Sequence, residues 1–119
     1  MPSSQWHIDR LKEQLNREIS WTIANRVNDP RIPDVVTISH IKLAPDTRSA
    51  TVYVSIYGDE NEKKGALIAL NRATAFIQKC VAARISIKNF PKLTFKIDSS
   101  FEHSEHINNL LEKIKDDLV

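Results

Sequence analysis

The chain has 119 residues, a single cysteine and a formal net charge of +2, with 41% hydrophobic and 27% charged residues. This is enough chain to bury one core without a structural metal, and a lone Cys80 excludes an internal disulfide. No run approaches the roughly 18 apolar residues of a membrane span, and Met1 to His7 offer neither a basic n-region nor an apolar h-region, so a cytoplasmic protein without a membrane role is expected.

The first predicted element is an amphipathic helix from about Ser4 to Val27. Ile8, Leu11, Leu15, Ile19, Ile23 and Val27 recur three and four apart and form one stripe that a sheet must cover. Trp6 and Trp21 lie off that stripe. Asp29-Pro30 ends the helix, because a residue before proline is driven out of the α region and proline has no amide hydrogen. Val35 to Leu43 is β-branched and alternates apolar with polar from Val36 on, which predicts a strand with one solvated face. Turn residues Ala44 to Ser49 follow, and then a second strand from Ala50 to Tyr57, with Ala50, Val52, Val54 and Ile56 on its inner face. The two strands read as an antiparallel hairpin.

Gly58 to Glu62 is expected to be a polar loop, leading into a long helix from Lys63 whose core stripe is Leu67, Leu70, Ala73, Phe76, Ile77, Cys80 and Val81. A straight helix would carry Arg84 to the core side, near Ala66, Ala73 and Ile77. A kink near Ala75 or an end near Arg84 resolves the conflict. After Asn89-Phe90-Pro91 a short strand, Leu93 to Ile97, alternates cleanly, and a last helix with Ile107, Leu110, Leu111, Ile114 and Leu118 on its stripe is capped from Asp98, Ser99 or Ser100. The sum is a single α+β domain with helices on one face of a small mixed sheet.

Charge is distributed unevenly along this plan. Residues 63–97 contain eight Lys or Arg and no Asp or Glu, whereas residues 1–62 carry −2 and residues 98–119 carry −4. A polyanion-facing side on an otherwise neutral to acidic domain is the direct reading. The bland alternative is a solvated helix face, but such faces intersperse acids, as the first helix does with Asp9, Glu13 and Glu18. Arg72, Ala75, Lys79, Ala82 and Ser86 share one helix face, where small residues let a ribose-phosphate ridge approach closely. Arg84, Lys88 and Lys92 extend it past the helix end. Sequence-specific base reading is not expected, because Phe76 and Phe95 sit at core positions by periodicity, and Phe90 and Phe101 by location. Tyr53 and Tyr57 could stack on a base, although a cross-strand contact is the simpler role.

Other chemistries find little support. His103 and His106 lack a third ligand, Cys80 reads as an inert core thiol, and helix capping accounts for Asp98, Ser99 and Ser100. No phosphate-cradling glycine loop, carboxylate pair or Ser/His/Asp set stands out, so a non-enzymatic binding protein needing no cofactor is expected.

Several tracts together carry a family resemblance: Asn28-Asp29-Pro30-Arg31, the VVTIS run at 35–39, the turn from Asp46 to Ala50 running into VYVSIYG at 52–58, and FPKLTFKIDSS at 90–100. In this order and spacing they resemble ribosome-binding factor A. The resemblance implies a type II KH-like fold with a three-stranded sheet, and binding to the 30S subunit during late maturation of 16S rRNA, with a link to growth in the cold. It also implies a helix-kink-helix built on Ala-x-Gly, matched here by Ala73-Thr74-Ala75. Ordinary KH domains clamp nucleotides with a GXXG loop; Gly58 and Gly65 are the only glycines, so that loop is absent. RNA contact then falls to the basic surface: Arg72, Ala75, Lys79, Arg84, Lys88 and Lys92, with Arg31 and Arg48. No excess apolar surface forces a dimer. The competing expectation is a protein-interaction module, using a strand edge or the last helix, whose basic face is incidental.

Overall fold

The computed structural model describes residues 2–87 and 89–99. Its elements are α1 (Pro2–Asn25), β1 (Val36–Leu43), β2 (Ser49–Ile56), α2 (Glu60–Arg72), α3 (Thr74–Ala82) and β3 (Lys92–Ile97). The expected last helix, Phe101, His103 and His106, and Lys88 lie outside the described residues.

The first helix folds on the predicted stripe: Leu15 and Ile19 are fully buried and Ile23 nearly so. Between them Thr22 is also fully buried, which a polar residue tolerates only when its donor is satisfied. Its hydroxyl donates to the Glu18 carbonyl at 2.7 Å within the same helix. The sheet order is β1-β2-β3, with β1 antiparallel and β3 parallel to the central β2. The β2 side chains Ala50, Val52, Val54 and Ile56 all point inward, together with Leu93 and Phe95 of β3. α1 packs on β1 and α3, while α2 and α3 pack on β3, so the helices cover one face of an α+β sheet.

One departure from simple alternation has a clear cause. The apolar residues of β1 fall at 36, 38, 41 and 43, so their parity changes between Ile38 and Ile41. A strand of strict period two would put Ile41 in water. The pairing register shifts between Ile38 and His40, and this bulge returns Ile41 to the core at 5% exposure. On the outer face His40 stacks on Tyr53 across the strands at 4.3 Å, the cross-strand role expected of Tyr53. Tyr57 is 98% exposed.

The stretch expected to be a polar loop before α2 is largely its first turn. Asp59 is the N-cap: its carboxylate accepts from the Glu62 amide at 2.7 Å, and Glu62 accepts in return from the Asp59 amide. This capping box starts the helix three residues before Lys63. Gly58 precedes it at φ 151°, a backbone setting that side chains disfavour, and a Cβ there would meet Glu62 at 3.1 Å.

Candidate nucleic-acid interface

The long basic helix is interrupted at one residue. Ala73 ends α2 and starts α3 with φ −86° and ψ 0°, its amide shared between the Ala69 and Leu70 carbonyls at 3.0 and 3.1 Å. The Thr74 hydroxyl donates to the Asn71 carbonyl at 2.9 Å, covering an acceptor near the break. Ala73 stays in the right-handed region, and Thr47 is the only described non-glycine residue with positive φ. The break therefore needs no glycine, which explains how Ala73-Thr74-Ala75 serves where Ala-x-Gly was expected.

Across the break the buried positions keep helical spacing, from Ala66, Ala69 and Leu70 of α2 to α3. Ile77 and Val81, four apart, become the fully buried positions of α3, whereas Phe76 turns outward to 47% exposure. Phe76 is not the core residue that the sequence predicted, because it falls beside the stripe of Leu70, Ile77 and Val81 and not on it. Leu67, Ala73 and Cys80 are half-buried, and Ala66 and Ala69 take fully inside positions.

On the opposite side, α2 is fastened to the sheet by Asn71. Its side-chain amide donates to the Phe95 carbonyl at 3.1 Å, and its side-chain oxygen accepts from the Phe95 amide at 2.9 Å. One side chain thus occupies both outward-facing backbone groups of Phe95 on the edge strand β3.

Arg72, Ala75, Lys79 and Ala82 are all exposed, spaced as one face along the end of α2 and along α3. Arg84 has left the core, as the predicted kink or early end requires, but it turns toward α1. Its guanidinium pairs with Glu18 and lies 4.5 Å from the centre of the Trp21 ring, and Arg26 stands 5.9 Å from the same ring. Arg84 is thereby ion-paired, with Trp21 of α1 and Arg26 just after that helix beside it. Arg48 and Lys92 come together elsewhere: the Lys92 amide donates to the Arg48 carbonyl at 2.9 Å beside the first residues of β2 and β3. Arg31 lies in a groove with Ile56 and Tyr57 at the other end of β2. Seven residue steps of strand separate the two ends, roughly 23 Å. The seven described positions among those predicted therefore do not form one patch.

A shallow groove joins the helix break to the loop after α1, lined by Arg26, Val27, Asn28, Asp29, Ala69, Arg72, Ala73 and Phe76. At its rim Arg31 grips Asp29 in two-pronged fashion, Nη2 at 2.8 Å and Nε at 3.1 Å. That side-chain pairing, the Arg31 amide on the same carboxylate and the charge of Arg72 hold the Asp29 carboxyl down to about 2. A depressed carboxyl stabilises the fold above its ordinary range, and the stabilisation is lost as pH falls toward 2. Titration followed by NMR will show Asp29 ionised until about pH 2, and Arg31→Ala will return it toward 3.8. A wild-type midpoint near 3.8 refutes the pair.

The comparison with known proteins decides the family. Residues 7–111 match the family model for ribosome-binding factor A. The chain belongs to that family. Ribosome-binding factor A of Moorella thermoacetica is 41% identical over 107 residues, covering 89% of this chain and 88% of the relative. The same factor from Clostridium botulinum strain Alaska E43 is 39% identical over 108 residues, covering 90% and 93%. The crystal structure of ribosome-binding factor A from Thermus thermophilus superposes with a TM-score of 0.67 at 30% identity, over 75% of this chain and 92% of that one. A homology model of the Thermus thermophilus factor, fitted into the cryo-EM map of a 30S complex, gives a TM-score of 0.63 at 29% identity, over 76% and 93%. The fold is the KH-like fold of these ribosome-binding factor A structures. Among the described residues no helix is long and apolar enough to cross a membrane.

Sequence reasoning missed Arg26 and Phe76 as members of this surface and left Trp21 undecided between a wider apolar stripe and a protein or RNA contact. Trp21 was visible as an aromatic off the apolar stripe. Arg26 and Phe76 emerge only once the loop after α1 and the break at Ala73 bring them together.

Proposed function

We propose that this chain is a cytoplasmic, non-enzymatic assembly factor. As a single KH-like domain and a monomer, it binds the immature 30S subunit and assists late maturation of 16S rRNA, including in the cold. The observation that carries this reading is the exposed run Arg72, Ala75, Lys79 and Ala82, on a tract of 35 residues without an acid. Cations separated by alanines meet a phosphate ridge at short range, and each contact releases condensed counterions. Such binding reads backbone and shape and needs no GXXG clamp. By holding one arrangement of the rRNA, the protein disfavours alternatives and leaves when its site is complete.

Salt dependence tests the reading. If five cations contact phosphates, the affinity for small subunits will fall with salt on a log-log slope of about −3.5 to −4.5. A flat response would transfer the protein to the interaction-module class, with its basic face incidental.

A further inference from the structure

At Arg72 the exposed run borders the groove between the helix break and the loop after α1, whose other residues backbone contact leaves unused. That groove presents Phe76, 47% exposed, with Arg72 and Arg26 exposed beside it and the Asn28 side chain at its wall. A large aromatic costs free energy in water, and here it lines a groove that two arginines also line, outside the core its helix covers. We propose that this groove receives one unpaired RNA base, stacked on the Phe76 ring, with its flanking phosphates held by Arg72 and Arg26. The inference rests on the RNA-binding reading and adds to it a base-sized site.

Three features favour a nucleotide over an apolar peptide. Two of the groove's side chains are arginines, whose planar forks suit phosphate oxygens. The one carboxylate in the lining, Asp29, is already neutralised by Arg31 at 2.8 Å, so it does not repel an incoming phosphate. The floor beside the ring is Ala69 and Ala73, small residues that leave room for a flat base to slide against Phe76. Asn28 supplies both a donor and an acceptor to a base edge, a modest preference at most. Stacking on an aromatic accepts any base, so the site selects unpaired over paired RNA more than one sequence over another.

The test uses the full chain and immature small subunits. Phe76→Ala and Phe76→Leu should each weaken binding about 5- to 150-fold, the range of one lost base stack, with the salt slope unchanged. Phe76→Tyr should bind within about twofold of wild type, because the ring is kept. Circular dichroism should show all three folded, since the side chain is half in water. Photocrosslinking from p-benzoylphenylalanine in place of Phe76 should label an rRNA nucleotide. Wild-type affinity in Phe76→Leu overturns the stacked base, as does a crosslink to a ribosomal protein. Neither result touches the backbone reading, which falls separately if charge reversal on α2 and α3 leaves binding intact.

Discussion

Reversing charge at Arg72 and Lys79 together, Arg72→Glu with Lys79→Glu, will remove most of the affinity for small ribosomal subunits and leave the fold standing. Both side chains are exposed and neither enters the core, so the far-UV circular dichroism should be that of the wild type. The melting temperature should fall modestly, because each glutamate stands in the last turn of its helix and Arg72 no longer supports ionised Asp29. Each lost phosphate contact takes about 0.7 to 0.9 from the log-log salt slope. Two contacts therefore remove about 1.4 to 1.8, which near 0.15 M salt corresponds to a roughly 15- to 30-fold loss before any repulsion. The glutamates add that repulsion, so the measured loss should exceed this figure and shrink as salt rises. Undiminished binding by a folded double variant would end the RNA reading of this surface.

Asn71→Ala will act on stability instead. Asn71 is bonded to the outer edge of β3, where it satisfies both the amide and the carbonyl of Phe95 in a partly buried place. Losing such partners costs about 1 to 3 kcal/mol, because the stranded groups keep their desolvation penalty. The melting temperature should drop by roughly 5 to 15 °C. Asn71→Asp keeps the acceptor but loses the donor, and places a carboxylate against the Phe95 carbonyl, so it should do no better than alanine. A melting temperature within a degree of wild type in both variants would show that the contact contributes nothing in solution.

Most of the fold was legible because periodicity and burial agree in α1, β2 and β3. The stripe through Leu15, Ile19 and Ile23 and the alternation from Ala50 to Ile56 each admit one orientation toward a core. Three features escaped for separate physical reasons. The start of α2 was hidden by its polarity, although Asp59 and Glu62 have the three-residue spacing of a capping box. The bulge in β1 was written in the parity change between Ile38 and Ile41, which only pairing with β2 turns into geometry. The exposure of Phe76 escaped because it sits at the edge of the buried stripe through Leu70, Ile77 and Val81, where periodicity alone does not separate a half-exposed aromatic from a core one.

The candidate surface was legible as charge but not as place. A count of Lys and Arg along residues 63–97 cannot tell that Arg84 turns back onto Glu18 and Trp21, or that Lys92 joins Arg48 at one end of the sheet. Both outcomes depend on neighbours distant in sequence, as does the recruitment of Arg26. The exposed face of α2 and α3 was readable because Arg72 and Lys79 belong to those helices directly and need no distant neighbour to set their direction.

Asn71, fastened to β3, is followed by Arg72 and then by the break at Ala73. The backbone that carries Arg72 is therefore tied to the sheet before any ligand arrives. A ligand docking on Arg72 meets a backbone already held at the preceding residue, which reduces the conformational entropy lost on association.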